Sequence, residues 1–304
     1  MAKKSACNQQ SNDKITKSSL LFSILLNIGI TVAQIIGGLI SGSLSLLSDA
    51  LHNFSDVLSL TVSFFANRLS KKEASIEKTF GFKRAEIMAA FINSFSLIVI
   101  AVILIIEGIK RFKTPQQIDT SVVIVLSLIA IFGNGLSVLL LKKDSKLNMN
   151  MRSAYLHLVT DLMASLAVLL GGLLMKFYSI FWIDSILTFI IAIYLIIMGY
   201  DLLKKSFKIL MLYTPDDIEV KQIVSIVNEL PNVKSLHHIH IWQLNEDETH
   251  LEAHIDFNSN IKVSEFGEIL YTIEVILQEK FKINHVTLQP EYENKDNKDI
   301  IVQD

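Results

Sequence analysis

Apolar residues run almost unbroken through the first two thirds of the chain, and a shorter-period alternation with polar residues takes over in the last third. A bilayer core roughly 30 Å thick takes about 20 helical residues. Six runs meet that length, at about 18–40, 43–67, 85–109, 120–141, 153–176 and 180–203. The pattern predicts an α-helical membrane protein with six transmembrane helices. The first run follows a polar stretch with lysines and no small-residue cleavage site, so it reads as a retained helix and not as a signal peptide.

The apolar runs stop near Tyr213-Thr214-Pro215. Beyond that point "PDDIEVKQIVSIVNEL" has an acidic first turn and apolar positions at helical spacing, ending at Pro231. "VKSLHHIHIWQL" and "THLEAHIDF" alternate like strands, with Asn245 to Glu248 as a hairpin turn. "VSEFGEILYTIEVILQEKF" returns to helical spacing and "HVTLQP" is a last short strand. The order is αββαβ, a small α+β, ferredoxin-like domain. The expected organisation is a cytoplasmic N-terminal segment (1–17), a six-helix transport domain (18–208), a cytoplasmic metal-binding and dimerisation domain (209–292) and a disordered polar tail (293–304).

Composition agrees with a membrane chain: 51% of the 304 residues are hydrophobic and 19% charged. Net charge is −2, but the placement of the positive charges says more. Seventeen lysines and arginines flank the runs on the side shared by the N-terminus and the end of the sixth run. Only Lys110, Arg111, Lys113 and Lys176 lie on the other side. The positive-inside rule then puts both termini in the cytoplasm of a multi-pass plasma-membrane protein. Cys7 is the only cysteine, so no intrachain disulfide and no thiolate cluster is possible.

Against this background the second run carries Asp49, His52 and Asp56, spaced so that all three share one helix face. A charge at bilayer depth costs at least about 2.5–3.5 kcal/mol, so such residues face the bundle interior and mark a function. The fifth run repeats the device: His157 and Asp161 are again four apart. Two helices with a His-x-x-x-Asp face each can converge on one point, and two imidazoles with two carboxylates form a four-coordinate N/O site. That set suits Zn2+, whereas all-oxygen sets suit Mn2+ or Mg2+. The ligands must shed protons to bind metal, and imidazole titrates near neutral pH, so one site can hold metal or protons but not both. The competing reading is a pair of buried polar contacts that glue helices together; it accounts less well for the same motif twice. Asp49 lies one turn from His52 and is read as a supporting residue.

"SLSLLSDALHNFSD", "FGFKRAEIMAAFIN" and "NMRSAYLHLVTDLMASLAVLL" resemble the hallmark stretches of the cation diffusion facilitators, above all their bacterial zinc, cadmium and cobalt exporters. The resemblance implies a homodimer of six-helix protomers that exchanges cytoplasmic Zn2+ for protons by alternating access, with His52, Asp56, His157 and Asp161 as the transport site. Three departures stand out. The loop "KKEASIEKTFGFKR" has Ser75, Lys78 and Phe82 where some relatives hold another zinc site, and "KKDSKLNMNMR" has no histidine. Leu212 replaces an acidic residue that pairs with the third span in some relatives, so an interlock involving Arg84 needs another partner.

Five of the eight histidines fall between His237 and His254. Simple alternation puts His238, His240 and Trp242 on one face of the first strand, with His237 on the opposite face beside Ile239 and Ile241. On the next strand His250, Glu252, His254 and Asp256 share the polar face. The resemblance instead points to His237, His254, Gln289 and Glu291 as a cytoplasmic metal site, where Zn2+ would act as a regulatory ligand. The two readings agree only on His254. The alternative, ordinary solvated or interface histidines, stays open here.

Asn27, Gln34, Asn93 and Asn134 read as interhelical hydrogen-bonding residues, while Glu86, Glu107 and Asp184 sit near run ends where they reach water. Gly37, Gly38, Gly171 and Gly172 permit close helix packing. The leading expectation is a secondary transporter, with divalent metal out and protons in. It needs lipid and a second copy of itself as partners and no nucleic acid. There is no Walker A loop and no His-Glu-x-x-His motif, so neither nucleotide hydrolysis nor a metallohydrolase is expected. A membrane metal sensor signalling through the His-rich domain is the alternative.

Overall fold

The computed structural model describes residues 25–142 and 149–302. The expected N-terminal segment, the start of the first run and the connection at 143–148 lie outside the described residues. Six long helices come first: α1 (Leu25–Ser41), α2 (Leu44–Ser70), α3 (Ala85–Lys113), α4 (Thr120–Leu141), α5 (Met149–Tyr178) and α6 (Trp182–Leu210). They are followed by α7 (Val220–Asn228), β1 (Val233–Gln243), β2 (Thr249–Phe257), α8 (Val263–Phe281) and β3 (His285–Glu291). Among the described residues four helices are long and apolar enough to cross a membrane: α3, α4, α6 and the Tyr155–Tyr178 part of α5. The described part of α1 is apolar but shorter, and α2 is interrupted by Asp49, His52, Asn53 and Asp56.

The chain divides into two units, Met1–Val62 with Ile92–Asp201, and Ser63–Phe91 with Leu202–Asp304. In the first, apolar clusters around Leu46, Val123, Val168 and Met175, and around Leu97, Ala101 and Leu195, join the helices. Large apolar side chains such as Phe132, Leu139, Phe177 and Ile197 point outward, an arrangement suited to lipid and not to water. Polar groups collect inside instead, among them Gln34, Asp49, His52, Asn53, Asp161 and Ser165. α1 and α2 meet backbone to backbone at Gly38, where a Cβ would lie 3.1 Å from the Leu47 nitrogen.

The second unit holds the sheet, in the order β1-β2-β3, with β2 antiparallel to β1 and parallel to β3. Its core joins Ile223 and Val227 of α7, Leu251 and Ile255 of β2, and Ile273 and Leu277 of α8. The element order is α-β-β-α-β, and the hairpin forms where the polar run 245–248 places it. There Asn245 Oδ1 accepts from the amides of Asp247 and Glu248 at 2.9 and 2.8 Å.

Three local expectations change. The helix read from Pro215 starts at Val220, because Pro215 to Ile218 forms a turn closed by an Ile218 N to Pro215 O bond of 3.1 Å. The strict alternation of β1 fails at a bulge between His237 and His240, where His238 takes φ 49°. Finally, residues 293–302, expected as a disordered tail, run back beside β1. The amides of His238 and Ile239 donate to the carbonyls of Asp299 and Ile300 at 3.1 and 2.8 Å. The bulge turns these two amides away from β2, and the tail satisfies them.

Candidate metal centres

On α2 and α5 a separation of four residues stacks side chains on one face, so each helix presents a His-Asp pair. His52 Nε2 lies 3.6 Å from Asp56 Oδ2 and 3.7 Å from Asp161 Oδ1. His157 Nε2 lies 3.4 Å from Asp56 Oδ2 and 3.7 Å from Asp161 Oδ2. The two imidazoles stand edge to face, 6.0 Å between centroids. Tetrahedral bonds of about 2.0–2.2 Å separate neighbouring ligand atoms by roughly 3.3–3.6 Å, and the four His–Asp separations, at 3.4–3.7 Å, lie close to that range.

Burial sharpens the point. Asp161 is fully buried, while the Asp56 and His157 side chains are 30% and 40% exposed, so the quartet is open on one side. Both ring nitrogens of His52, Asp56 Oδ2 and both Asp161 oxygens have no hydrogen-bond partner among the described residues. Buried polar atoms without partners are costly, and a bound cation would satisfy those that face one another.

Asp49 is tied elsewhere. Its Oδ2 accepts from Gln34 Nε2 at 2.7 Å and Ser165 Oγ at 3.3 Å, and Asn53 Nδ2 reaches Gln34 Oε1 at 3.4 Å. It therefore braces α2 against α1 and α5 one turn from His52. Gln34 serves the hydrogen-bonding role expected of it.

Asp184 corrects the expectation that it reaches water. It is buried, and accepts from Ser43 Oγ at 2.6 Å, Leu44 N at 2.8 Å, Ser45 N at 3.2 Å and Ser45 Oγ at 2.6 Å. A carboxylate from α6 thus caps the N-terminus of α2, satisfying amides that no helical carbonyl can reach. The run "SGSLS" before the second helix was a visible cap signal, but its partner 140 residues away was not.

The second unit contains another cluster. His237, His254, Glu291 and Asp296 each offer one ligand-type atom, all within 4.8 Å of one another. The bulge in β1 is the reason His237 is there. Leu236 pairs with Ile255 on the core side, so its neighbour His237 pairs with His254 on the other; past the bulge the phase shifts and Ile241 returns to the core. Alternation without the bulge placed His237 on the wrong face. His254 Nδ1 lies 3.0 Å from Glu291 Oε1, and His237 Nε2 lies 3.3 Å from Glu291 Oε2. Asp296 Oδ2 is 3.6 Å from both imidazoles. Gln289 donates to Glu291 Oε1 at 3.1 Å and so orients that carboxylate. Burial works against the Glu291 carboxylate, but hydrogen bonds from Lys298, Asn294 and Gln289 outweigh it and hold its pKa below the ordinary range. Asp296 was missed because it sits in a polar tail with no periodicity. The one hint was an acidic residue five positions beyond Glu291.

Residues 20–211 match the cation efflux transmembrane domain, and residues 215–293 match the cytoplasmic domain of cation efflux proteins. The chain belongs to the cation efflux family. It is accordingly a multi-pass membrane protein, with a helical transmembrane domain and a cytoplasmic domain built on a small sheet. Among cation efflux relatives, the "cadmium, cobalt and zinc/H(+)-K(+) antiporter" of Bacillus velezensis is 39% identical over 90% of this chain and 88% of its own length. The "metal cation efflux system protein CzcD" of Cupriavidus metallidurans is 31% identical over 89% of this chain and 85% of its own. The "zinc transporter ZitB" of Escherichia coli is 29% identical over 90% and 87%. These cation efflux proteins are named as transporters, not enzymes.

Within this cation efflux chain, the loop between α2 and α3 also finds a partner inside the second unit. Lys83, next to Arg84, donates to both Glu248 oxygens, at 2.5 and 2.6 Å. The hairpin turn thus supplies an acidic partner to this loop, at a place where Leu212 cannot.

Proposed function

We propose that the chain is a secondary transporter that moves Zn2+ out of the cytoplasm in exchange for protons, with Cd2+ and Co2+ as alternative cargo. His52, Asp56, His157 and Asp161 are its transport site. The single observation that carries the reading is the facing of two imidazoles and two carboxylates at 3.4–3.7 Å, in which the facing atoms of His52, Asp56 and Asp161 have no hydrogen-bond partner among the described residues. Metal and protons compete for the same lone pairs, so loading one expels the other. Asp49 is a positioning residue in this scheme.

The wider frame rests on sequence and relatedness. Six membrane spans, both termini in the cytoplasm, a plasma-membrane location, a ferredoxin-like cytoplasmic fold and a homodimer all fit the charge asymmetry and the cation efflux relatives. His237, His254 and Glu291, joined by Asp296, are the cytoplasmic metal ligands, and Zn2+ there is regulatory. That cluster is also what a membrane metal sensor would use, but a pure sensor leaves the membrane quartet without a role.

Reconstitution into proteoliposomes tests the proposal. Zn2+ should move toward the acid side under an imposed pH gradient, with protons moving the other way. A parallel K+ gradient separates proton exchange from the K+ exchange in the relatives' name. Asp161→Ala should abolish flux; undiminished flux would sink the site. His52→Asp replaces a nitrogen by oxygen and should raise Mn2+ flux relative to Zn2+.

A further inference from the structure

The proposed function leaves Lys298 unexplained. Residues 293–302 return beside β1 and carry this side chain into the cytoplasmic cluster. Its ammonium donates to Glu291 Oε2 at 2.7 Å, lies 3.3 Å from His237 Nε2 and 3.2 Å from Asp256 Oδ2, and touches the Asp296 carboxylate. Asp256 is buried, and its other oxygen has no hydrogen-bond partner among the described residues. One cation is therefore ringed by three carboxylates and an imidazole, on a segment that, among the described residues, joins β1 through two backbone bonds and packs Ile300 against the core.

We propose that Lys298 is a tethered counter-cation of the cytoplasmic site, which a divalent metal ion must displace, so that metal loading releases the end of the tail from β1. The inference rests on reading His237, His254 and Glu291 as metal ligands. A lysine only donates, so the 3.3 Å contact is a hydrogen bond in the His237 tautomer that keeps its lone pair on Nε2. An imidazole nitrogen has one lone pair, and it cannot serve both the ammonium and a metal at about 2.0–2.1 Å. Glu291 Oε2 is contested in the same way, and a dication beside an ammonium adds direct repulsion. Asp296, with an oxygen 3.6 Å from both imidazoles, stays as a fourth ligand. Asp299 and Ile300 follow Lys298 immediately, so their carbonyls lose a neighbouring anchor when its side chain leaves, and the packing of Ile300 on the core is left to hold them. The site then fills only above a metal threshold set by the tether, and its filling is reported by a freed strand edge at His238 and Ile239.

The test uses the full chain carrying Asp161→Ala, which silences the membrane quartet, with Zn2+ titrated against a chromophoric chelator. Lys298→Met should tighten cytoplasmic Zn2+ binding about tenfold or more, roughly 1.4 kcal/mol, while Lys298→Arg, which keeps the charge, should bind like the parent. His237→Ala should abolish binding. Hydrogen exchange in the parent should show the His238 and Ile239 amides losing protection when Zn2+ is added. If Lys298→Met leaves affinity unchanged or weaker, or Lys298→Arg tightens it equally, while His237→Ala still abolishes binding, the tether is wrong and the site stands. Protection that Zn2+ does not change overturns the release of the tail. If His237→Ala changes nothing, the site reading fails and takes the inference with it.

Discussion

Asp161 and Asp184 are both buried carboxylates, and what surrounds each decides its role. Asp184 is saturated by four donors at the start of α2, whereas neither oxygen of Asp161 has one among the described residues. Removing Asp184 strands buried amides and hydroxyls, a loss of about 1–3 kcal/mol for an unsatisfied group. Asp184→Ala should therefore lower the melting temperature of metal-free protein in detergent, and light scattering or tryptophan fluorescence would follow it. Asp161→Ala should leave that metal-free temperature unchanged or higher, because it deletes a carboxylate that is buried without donors. A lower one would mean that Asp161 is structural. The difference between the two residues was not legible locally: both lie in apolar runs, and only the contact across 140 residues separates them. His52, Asp56, His157 and Asp161 were legible because the helix period is fixed and puts i and i+4 on one face.

Elements carry the next level of the argument, and β1 shows where periodic reading stops. Period two holds from Ile239 to Trp242, and again from Ser235 to His237, but a bulge shifts the phase between the stretches. Nothing in "LHHIH" announces the left-handed turn at His238. The tail was illegible for a related reason, since its docking depends on amides that the bulge exposes. The hairpin, α8 and β3 were legible because turn residues and apolar spacing agree there. At the other end of the sheet His250 stacks on Trp242 at 5.3 Å, with His285 at 4.5 Å on the neighbouring strand. Burial, followed by the nearby His285, holds the His250 pKa below its ordinary value. The unfolded chain takes up this proton near pH 6.5, the folded one only at lower pH. Between those two values the unfolded state holds more protons, so stability falls as pH drops through about 6.5 and levels off below the lowered pKa. Hydrogen exchange of β2 amides in the full chain, compared at pH 8 and pH 5.5, should show this loss. His250→Phe keeps the ring stack and should reduce the pH dependence; an unchanged slope would place its origin in other groups.

At the scale of the whole molecule, the charge asymmetry is an orientation argument independent of the metal quartet. Lysines and arginines near the ends of spanning helices stay in the cytoplasm because carrying them across is unfavourable. In the proposed six-span topology seventeen of them share a side with the N-terminus, against Lys110, Arg111, Lys113 and Lys176 on the other. Export needs the quartet to open in turn to each side, so orientation decides whether the same chemistry empties or fills the cell. Cys7, the only cysteine, makes the question measurable without engineering the rest of the chain. A membrane-impermeant maleimide should label Cys7 in inside-out vesicles and not in intact cells. In a Cys7→Ser background, Lys113→Cys at the end of α3 should show the reverse. Labelling of Cys7 from outside would invert the topology and turn proton-coupled export by this quartet into import.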